Sequence, residues 1–207
     1  MKIAILLIIA VVSISSFGFA QTVTIGTQTW TTKNLDVATF RNGDAIPQAK
    51  TNEEWSAAGI NKQPAWCYYE NDPKNGTKYG KLYNWYAVND ARGLAPAGYH
   101  IPTDEEWTVL STFLGGEDAA GKKMKRNSGW LANGNGTNSS GFSGLPGGFR
   151  NYGGGFFNVD DRGDWWSASE VNGSYAWNRR LSSYYSSLHR DNDGNKYYGF
   201  SVRCVRN

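Results

Sequence analysis

His100-Ile101-Pro102-Thr103-Asp104-Glu105-Glu106-Trp107 (HIPTDEEW) carries the clearest structural signal in this 207-residue sequence. Thr103 stands three residues before Glu106, the spacing of a capping box. The threonine oxygen accepts from the N3 amide, and the glutamate reaches back to the N-cap amide. The pattern predicts a helix from Asp104, with Trp107, Leu110, Phe113 and Leu114 on one face and a stop at Gly115-Gly116. The same device at Thr51-Asn52-Glu53-Glu54-Trp55 predicts a second helix. Glu53, Glu54, Asp104, Glu105 and Glu106 fall in first helical turns, where the helix dipole favours carboxylates. They are read as helix starts, not as acid–base groups.

Outside these helices the chain reads as short strands and loops. Residues 21–40 alternate β-branched or aromatic residues with polar ones around Gly26, which predicts an opening hairpin with Val23, Ile25 and Trp30 inward. Arg41 to Asp44 is a turn, and Asn71 to Gly76 reads as another. Trp66-Cys67-Tyr68-Tyr69 and the ring-rich run Tyr79 to Tyr86 read as core. After residue 126 the sequence is mostly Gly, Ser, Asn and aromatics, as in NGNGTNSS (133–140) and GLPGG (144–148). The aromatics predict ordered loops. No composition break or long-period repeat divides the chain.

The N-terminus reads as an export signal. Lys2 precedes the apolar run Ile3 to Val12, and Gly18-Phe19-Ala20 offers small residues for cleavage before Gln21. Residues 1–20 are expected to be removed, leaving one domain at 21–207, secreted or on the cell surface and not inserted in a membrane. The run is shorter than the about 20 apolar residues that span a bilayer. With 21 basic and 18 acidic residues the chain lacks the basic stripe of a nucleic-acid binder, so no nucleic-acid partner is expected. Cys67 and Cys204 are the only cysteines. An oxidising compartment favours a disulfide between them; the alternative is two separately buried thiols.

HIPTDEEW, GWLANGNGTNSSGFSGLPGGFR (129–150), WWSASE (165–170), GFSVRCVR (199–206), YGKLYNWYAV (79–88) and IGTQTWTTKNLDVATF (25–40) occur in an order that resembles the Fibrobacter succinogenes major paralogous domain family. That family is similar to the formylglycine-generating, sulfatase-modifying branch of the C-type-lectin-like fold. The resemblance implies an α+β, C-type-lectin-like domain: two helices on small twisted antiparallel sheets, long ordered loops, and N- and C-terminal strands that meet. The related oxidases hold copper through paired cysteines shortly before the final strand. The matching stretch here, Asn178 to Tyr198, contains none, and only His100 and His189 exist. Catalysis is therefore not carried over, and no cofactor is expected.

The segment from Ser174 to Tyr198 is dominated by Ser, Tyr, Asn, Asp and His. Rigid amphipathic tyrosines interleaved with adaptable Ser and Asn are the chemistry of antibody paratopes. Trp177, Tyr184, Tyr185, His189, Tyr197 and Tyr198 are the candidate ligand-binding residues, with an extracellular glycan or protein as ligand; the alternative is that the rings pack in an ordinary hairpin. Trp165 and Trp166 are adjacent, so in a strand only one can face a ligand. Asp191, Asp193 and Asn195 place oxygens at alternate positions around Gly194 and are the candidate calcium ligands; Asp160-Asp161-Arg162-Gly163-Asp164 is a second candidate run, whose Asp160 and Asp164 could complete the shell if folding brings them near. Three side chains fall short of the 6–8 oxygens calcium takes, and Asx-Gly runs are good turns, so the segment is read as a turn first. The expectation is an exported recognition or adhesion module. An oxidase-related enzyme and a ligand-free structural surface component are the alternatives.

Overall fold

The computed structural model describes residues 21–207; the expected leader at 1–20 lies outside the described residues. Strands β1 (Thr22–Ile25) and β2 (Gln28–Thr31) form the opening hairpin, turning at Gly26 with φ +62°. Helix α1 (Asn52–Ile60) follows, then β3 (Trp66–Cys67), a 3-10 turn at Tyr69–Asn71, α2 (Pro73–Tyr79), β4 (Leu82–Tyr83), the single-turn α3 (Trp85–Val88) and β5 (Tyr99–His100). Helices α4 (Asp104–Phe113) and α5 (Glu117–Met124) precede β6 (Gly147–Arg150), β7 (Phe156–Val159), β8 (Arg162–Glu170), β9 (Tyr175–Ser182), β10 (His189–Asn195) and β11 (Val205–Arg206). The architecture is mixed α+β. One sheet has the order β1-β2-β11-β5, a second β10-β9-β8-β6-β7, and β3 pairs with β4. The N- and C-terminal strands meet, with Val205 opposite Trp30.

Both capping boxes form. Glu54 N donates to Thr51 Oγ1 at 3.1 Å while Thr51 N donates to Glu54 Oε2 at 3.2 Å. At α4, Glu106 N reaches Thr103 Oγ1 at 3.2 Å and Thr103 N reaches Glu106 Oε2 at 2.8 Å. The expectation of two helices is too low, because α2, α3 and α5 are also present. In α2, Asp72 Oδ1 caps Lys74 N at 2.9 Å and Pro73 holds the first helical position. Gly76 disguises the helix, and it is there because an added Cβ would lie 2.2 Å from the Tyr68 ring. Helix α5 starts at Gly116 without a side-chain cap, and its buried stripe is only Ala120, Gly121 and Met124, small for a sequence signal.

The face of α4 also differs in one residue. Trp107, Leu110 and Leu114 are buried, but Phe113 is 64% exposed. Six residues past Trp107 it has rotated off the buried stripe, and it covers the β1–β2 turn, where a Cβ on Gly26 would touch its ring at 3.0 Å.

Strand β8 runs between two cores. Trp166 packs into one cluster with Tyr83, Phe200 and Val202, and Trp165 into another with Trp30, Trp107 and Phe142. Both rings are fully buried, so neither of the adjacent tryptophans faces a ligand. Their indole N–H groups are satisfied internally, Trp166 by Tyr83 O at 2.7 Å and Trp165 by Asn34 Oδ1 at 2.8 Å.

The expected Cys67–Cys204 disulfide is not formed. Both residues are free thiols, and they are buried in different clusters: Cys67 beside Trp55, Tyr69 and Leu82, Cys204 beside Tyr83, Phe200 and Val202. Burial pushes each thiol up to about 12. The expected reversal at Gly194 is also absent, since Asp191 to Asn195 continues β10 with a bulge between Asp191 and Gly194. Glycine is needed there for close approach: a Cβ would lie 2.7 Å from Asn178 Oδ1 and 2.8 Å from the Trp166 ring.

Candidate functional site

Strands β9 and β10 form the outer hairpin of the five-stranded sheet, and residues 183–188 connect them. This connection is held along its length. Ser183 N donates to Asp161 O at 2.9 Å, Lys122 N to Ser186 O at 2.8 Å, and Leu188 N to Glu117 O at 2.8 Å. The buried Lys125 Nζ donates to Ser182 O and Tyr185 O, each at 2.8 Å. Burial lowers the pKa of this ammonium, and its carbonyl partners offset part of the desolvation. The segment also lies directly on two glycines: a Cβ on Gly121 would be 2.3 Å from Ser187 O, and one on Gly134 would be 2.4 Å from Ser183 O. Leu188 is fully buried, whereas Tyr184 and Tyr185 are 68% and 58% exposed.

His189 follows immediately on β10. Its ring meets Tyr185 edge to face at 5.3 Å, and its Nε2 lies 3.1 Å from Ser187 Oγ. Opposite His189 stands Arg180, and opposite Arg180 on β8 stands Asp164, so the three share one face of the sheet. Arg180 pairs with Asp191 at 2.9 Å, and Arg162 makes a two-point contact to Asp164 at 2.6 and 2.7 Å. Burial would lower the Arg162 pKa, but Asp164 beside it, helped by Asp191 and Asp193, holds it above the ordinary value. The Arg162 guanidinium lies 4.7 Å above the Phe149 ring, which contacts Tyr198 at 5.9 Å; Tyr198 stacks on Tyr152 at 6.2 Å. The face thus runs from Tyr185 and His189, through two arginine–carboxylate pairs, to a second ring group that exposes Tyr152 and Phe157.

Of the residues singled out in the sequence, Tyr184, Tyr185 and His189 come together, and Tyr198 lies at the far end of the same face. Trp177 and Tyr197 do not join them. Trp177 belongs to the alternate set of β9 side chains and is covered by the Arg190 guanidinium at 3.8 Å. Arg190 and the fully buried Arg179 both reach Asp104 at 2.7 Å, so Trp177 belongs to the packing of α4 against the sheet. Tyr197 packs on Gly59, where a Cβ would meet its ring at 2.6 Å, and on Tyr86 at 6.0 Å.

The calcium candidates already have protein partners: Asp191 is paired with Arg180, and Asn195 Oδ1 accepts from Tyr197 N at 2.9 Å. Asp193 is exposed. Asp160 accepts from Tyr79 Oη at 2.6 Å, while Asp164 is held by Arg162, so these two do not complete a shell around Asp191. Among the described residues no group of three or more His, Cys, Asp or Glu is placed to hold a metal ion. The buried thiols Cys67 and Cys204 share no cluster from which to bind one metal jointly.

Arg162, Asp164 and Arg180 are not among the candidate glycan- or protein-binding residues, although Arg162 and Asp164 belong to the run Asp160 to Asp164 that is the second calcium candidate. Their signal is period-two alternation of charge in RGDWW (162–166) and NRR (178–180), which places Arg162 with Asp164 and Asn178 with Arg180. Tyr152 and Phe149 carry no comparable signal, because only the folding of β6 against the last segment brings them to Tyr198.

The family model of the Fibrobacter succinogenes major domain matches residues 23–206. No curated protein and no solved structure matches the chain. The match spans nearly all of the described residues, from the opening hairpin to the strand that closes on it, and the chain therefore belongs to the Fibrobacter succinogenes major domain family.

Proposed function

We propose that this chain is an exported recognition module that binds a glycan or protein ligand through the Tyr184–Tyr185 loop and the adjoining sheet face. The reading includes no catalysis and no cofactor. One observation carries it: the two most exposed tyrosines stand on a connection whose backbone is pinned by α5, Asp161 and the buried Lys125. Exposed rings on a mobile loop would lose entropy on binding. Rings on a fixed loop present contact area at little further cost. His189, Arg180 and Asp191 supply polar partners beside them.

Export is supported by Lys2, the apolar run Ile3 to Val12 and the small residues before Gln21. Among the described residues no helix is long and apolar enough to cross a membrane. The C-type-lectin-like form of the α+β architecture is supported by the pairing of β2 with β11 and by the two capped helices.

The test is a glycan array and a panel of purified surface proteins, read with wild type and with Tyr184→Ala/Tyr185→Ala. The double variant removes exposed rings and should fold as wild type, while binding falls by about tenfold or more, as expected for aromatic anchors. Undiminished binding by the folded variant would remove this site. Tyr197→Ala is the contrast, since its ring is packed: it should lose stability without a selective loss of binding.

A further inference from the structure

A cavity of about 820 Å³ lies away from the tyrosine loop, bounded by the segment after β2, the C-terminal end of α2 and residues 126–145. Its lining holds four cationic side chains, Lys33, Lys78, Arg126 and Arg203, and a single carboxylate, Asp36. That carboxylate is already neutralised, because Lys81 Nζ lies 2.5 Å from Asp36 Oδ1. Lys78 pairs with Asp160 only at 3.4 Å, with both side chains about half exposed, a pair that solvent screens. Lys33 and Arg126 are exposed and form no ion pair among the described residues.

Arg203 makes the imbalance informative. Its side chain is 1% exposed and stacks on Phe142 at 4.5 Å. Its hydrogen bonds go only to neutral oxygens: Asn34 Oδ1 at 2.6 Å, Thr31 O at 2.7 Å, Phe142 O at 2.9 Å and Ser143 O at 3.2 Å. One of the five guanidinium N–H groups is left without an acceptor among the described residues. The buried Arg179 has a carboxylate in Asp104, and the buried Arg150 is, like Arg203, held by neutral oxygens alone, at Gly154 O, Ala49 O, Thr51 O and Asn52 Oδ1; of the three, Arg203 is the one that lines the cavity. A cation held in the protein without a counter-charge, at a cavity whose other unpaired charges share its sign, is the electrostatic complement of an anion. The volume falls within the about 300–1,000 Å³ of small-ligand sites, and Thr77 and Asn127 add neutral hydrogen-bonding groups to the lining.

We propose that this cavity binds the oxyanion of a small hydroxylated ligand, a carboxylated or sulfated saccharide, with Arg203 as the buried charge and Lys33, Lys78 and Arg126 at the rim. The site is independent of the tyrosine face.

The experiment is calorimetric titration of the full mature chain with three disaccharides: one bearing a uronate, one bearing a sulfate, and the neutral parent. Each is measured at about 50 mM and about 500 mM salt, so that the Debye length falls severalfold. At least one acidic sugar should bind about tenfold or more tighter than the neutral parent, and high salt should weaken it. The stronger arm identifies the oxyanion. Lys33→Gln/Arg126→Gln changes two exposed residues, so the fold is retained, and should cut that affinity by about tenfold. Tyr184→Ala/Tyr185→Ala should leave it unchanged. Equal binding of neutral and acidic sugars, no binding of either acidic sugar, or unaltered affinity in the rim variant would each overturn the proposal.

Discussion

Replacing Gly121 by alanine tests whether the tyrosine loop is held by helix α5. In an exposed helix interior the change would stabilise by about 1 kcal/mol, because alanine is the better helix former. Here the new Cβ would stand 2.3 Å from Ser187 O, 2.4 Å from Ser187 C and 2.5 Å from Ser186 O. These are backbone atoms, so no side chain can swing aside, and the segment must retreat by about 1 Å to reach ordinary contact. That retreat pulls on the 2.8 Å bond from Lys122 N to Ser186 O and on the 2.8 Å bond from Lys125 Nζ to Tyr185 O. Overpacking of this kind costs about 1–3 kcal/mol, and weakening the two bonds adds about 1–3 kcal/mol. After the helix gain of about 1 kcal/mol, a net loss of about 1–5 kcal/mol remains, or a fall in Tm of about 3–15 °C at about 3 °C per kcal/mol for a domain of this size. Urea unfolding should show a lower midpoint with an unchanged slope. Gly173→Ala is the control: nothing lies within 4 Å of its added Cβ, and its effect should stay within about 0.5 kcal/mol. If Gly121→Ala proved as stable as wild type or more so, the account of how Tyr184 and Tyr185 are fixed in place would be refuted.

Two further predictions concern buried groups. Native protein at pH 8 should leave Cys67 and Cys204 unreactive towards a thiol reagent, since burial pushes both up to about 12, and denaturation without reductant should release two thiols per chain; zero thiols would restore the disulfide. Asp104→Ala should destabilise by about 3–5 kcal/mol, because it leaves the fully buried Arg179 without its carboxylate. Burial works against ionisation of Asp104, yet the hydrogen bonds from Arg190 and Arg179 prevail and hold its pKa below the usual value. Its charge therefore contributes in full above about pH 4, and the contribution is lost as pH falls through the lowered folded value. The stability gap between wild type and Asp104→Asn should narrow as pH drops below about 4; a gap independent of pH there would count against the ion pair.

The local signals in this chain were readable where a few adjacent residues settle the conformation. Thr51 with Glu54 and Thr103 with Glu106 mark helix starts, since a capping box is complete within four residues. The alternation around Gly26 marks the hairpin for the same reason. The α+β class and the meeting of the terminal strands also followed from the sequence, through its blocks of family motifs. Other features needed the tertiary structure. Gly76, Gly121 and Gly194 look alike in one dimension, yet each is explained by what approaches it: the Tyr68 ring, the Ser187 backbone, and Asn178 with Trp166. Cys67 and Cys204 read as an even pair, but they enter different clusters: Cys67 joins the nearby Trp55, Tyr69 and Leu82, while Cys204 joins Phe40 and Tyr83, more than a hundred residues away in sequence. Tyrosines spaced along one segment looked equivalent, until β9–β10 packing left Tyr184 and Tyr185 exposed and buried much of Tyr197 against Gly59 and Tyr86. Spacing encodes the direction of a side chain within its own element. Whether that direction meets water, a ring or an unpaired charge such as Arg203 is decided by the chain that folds over it.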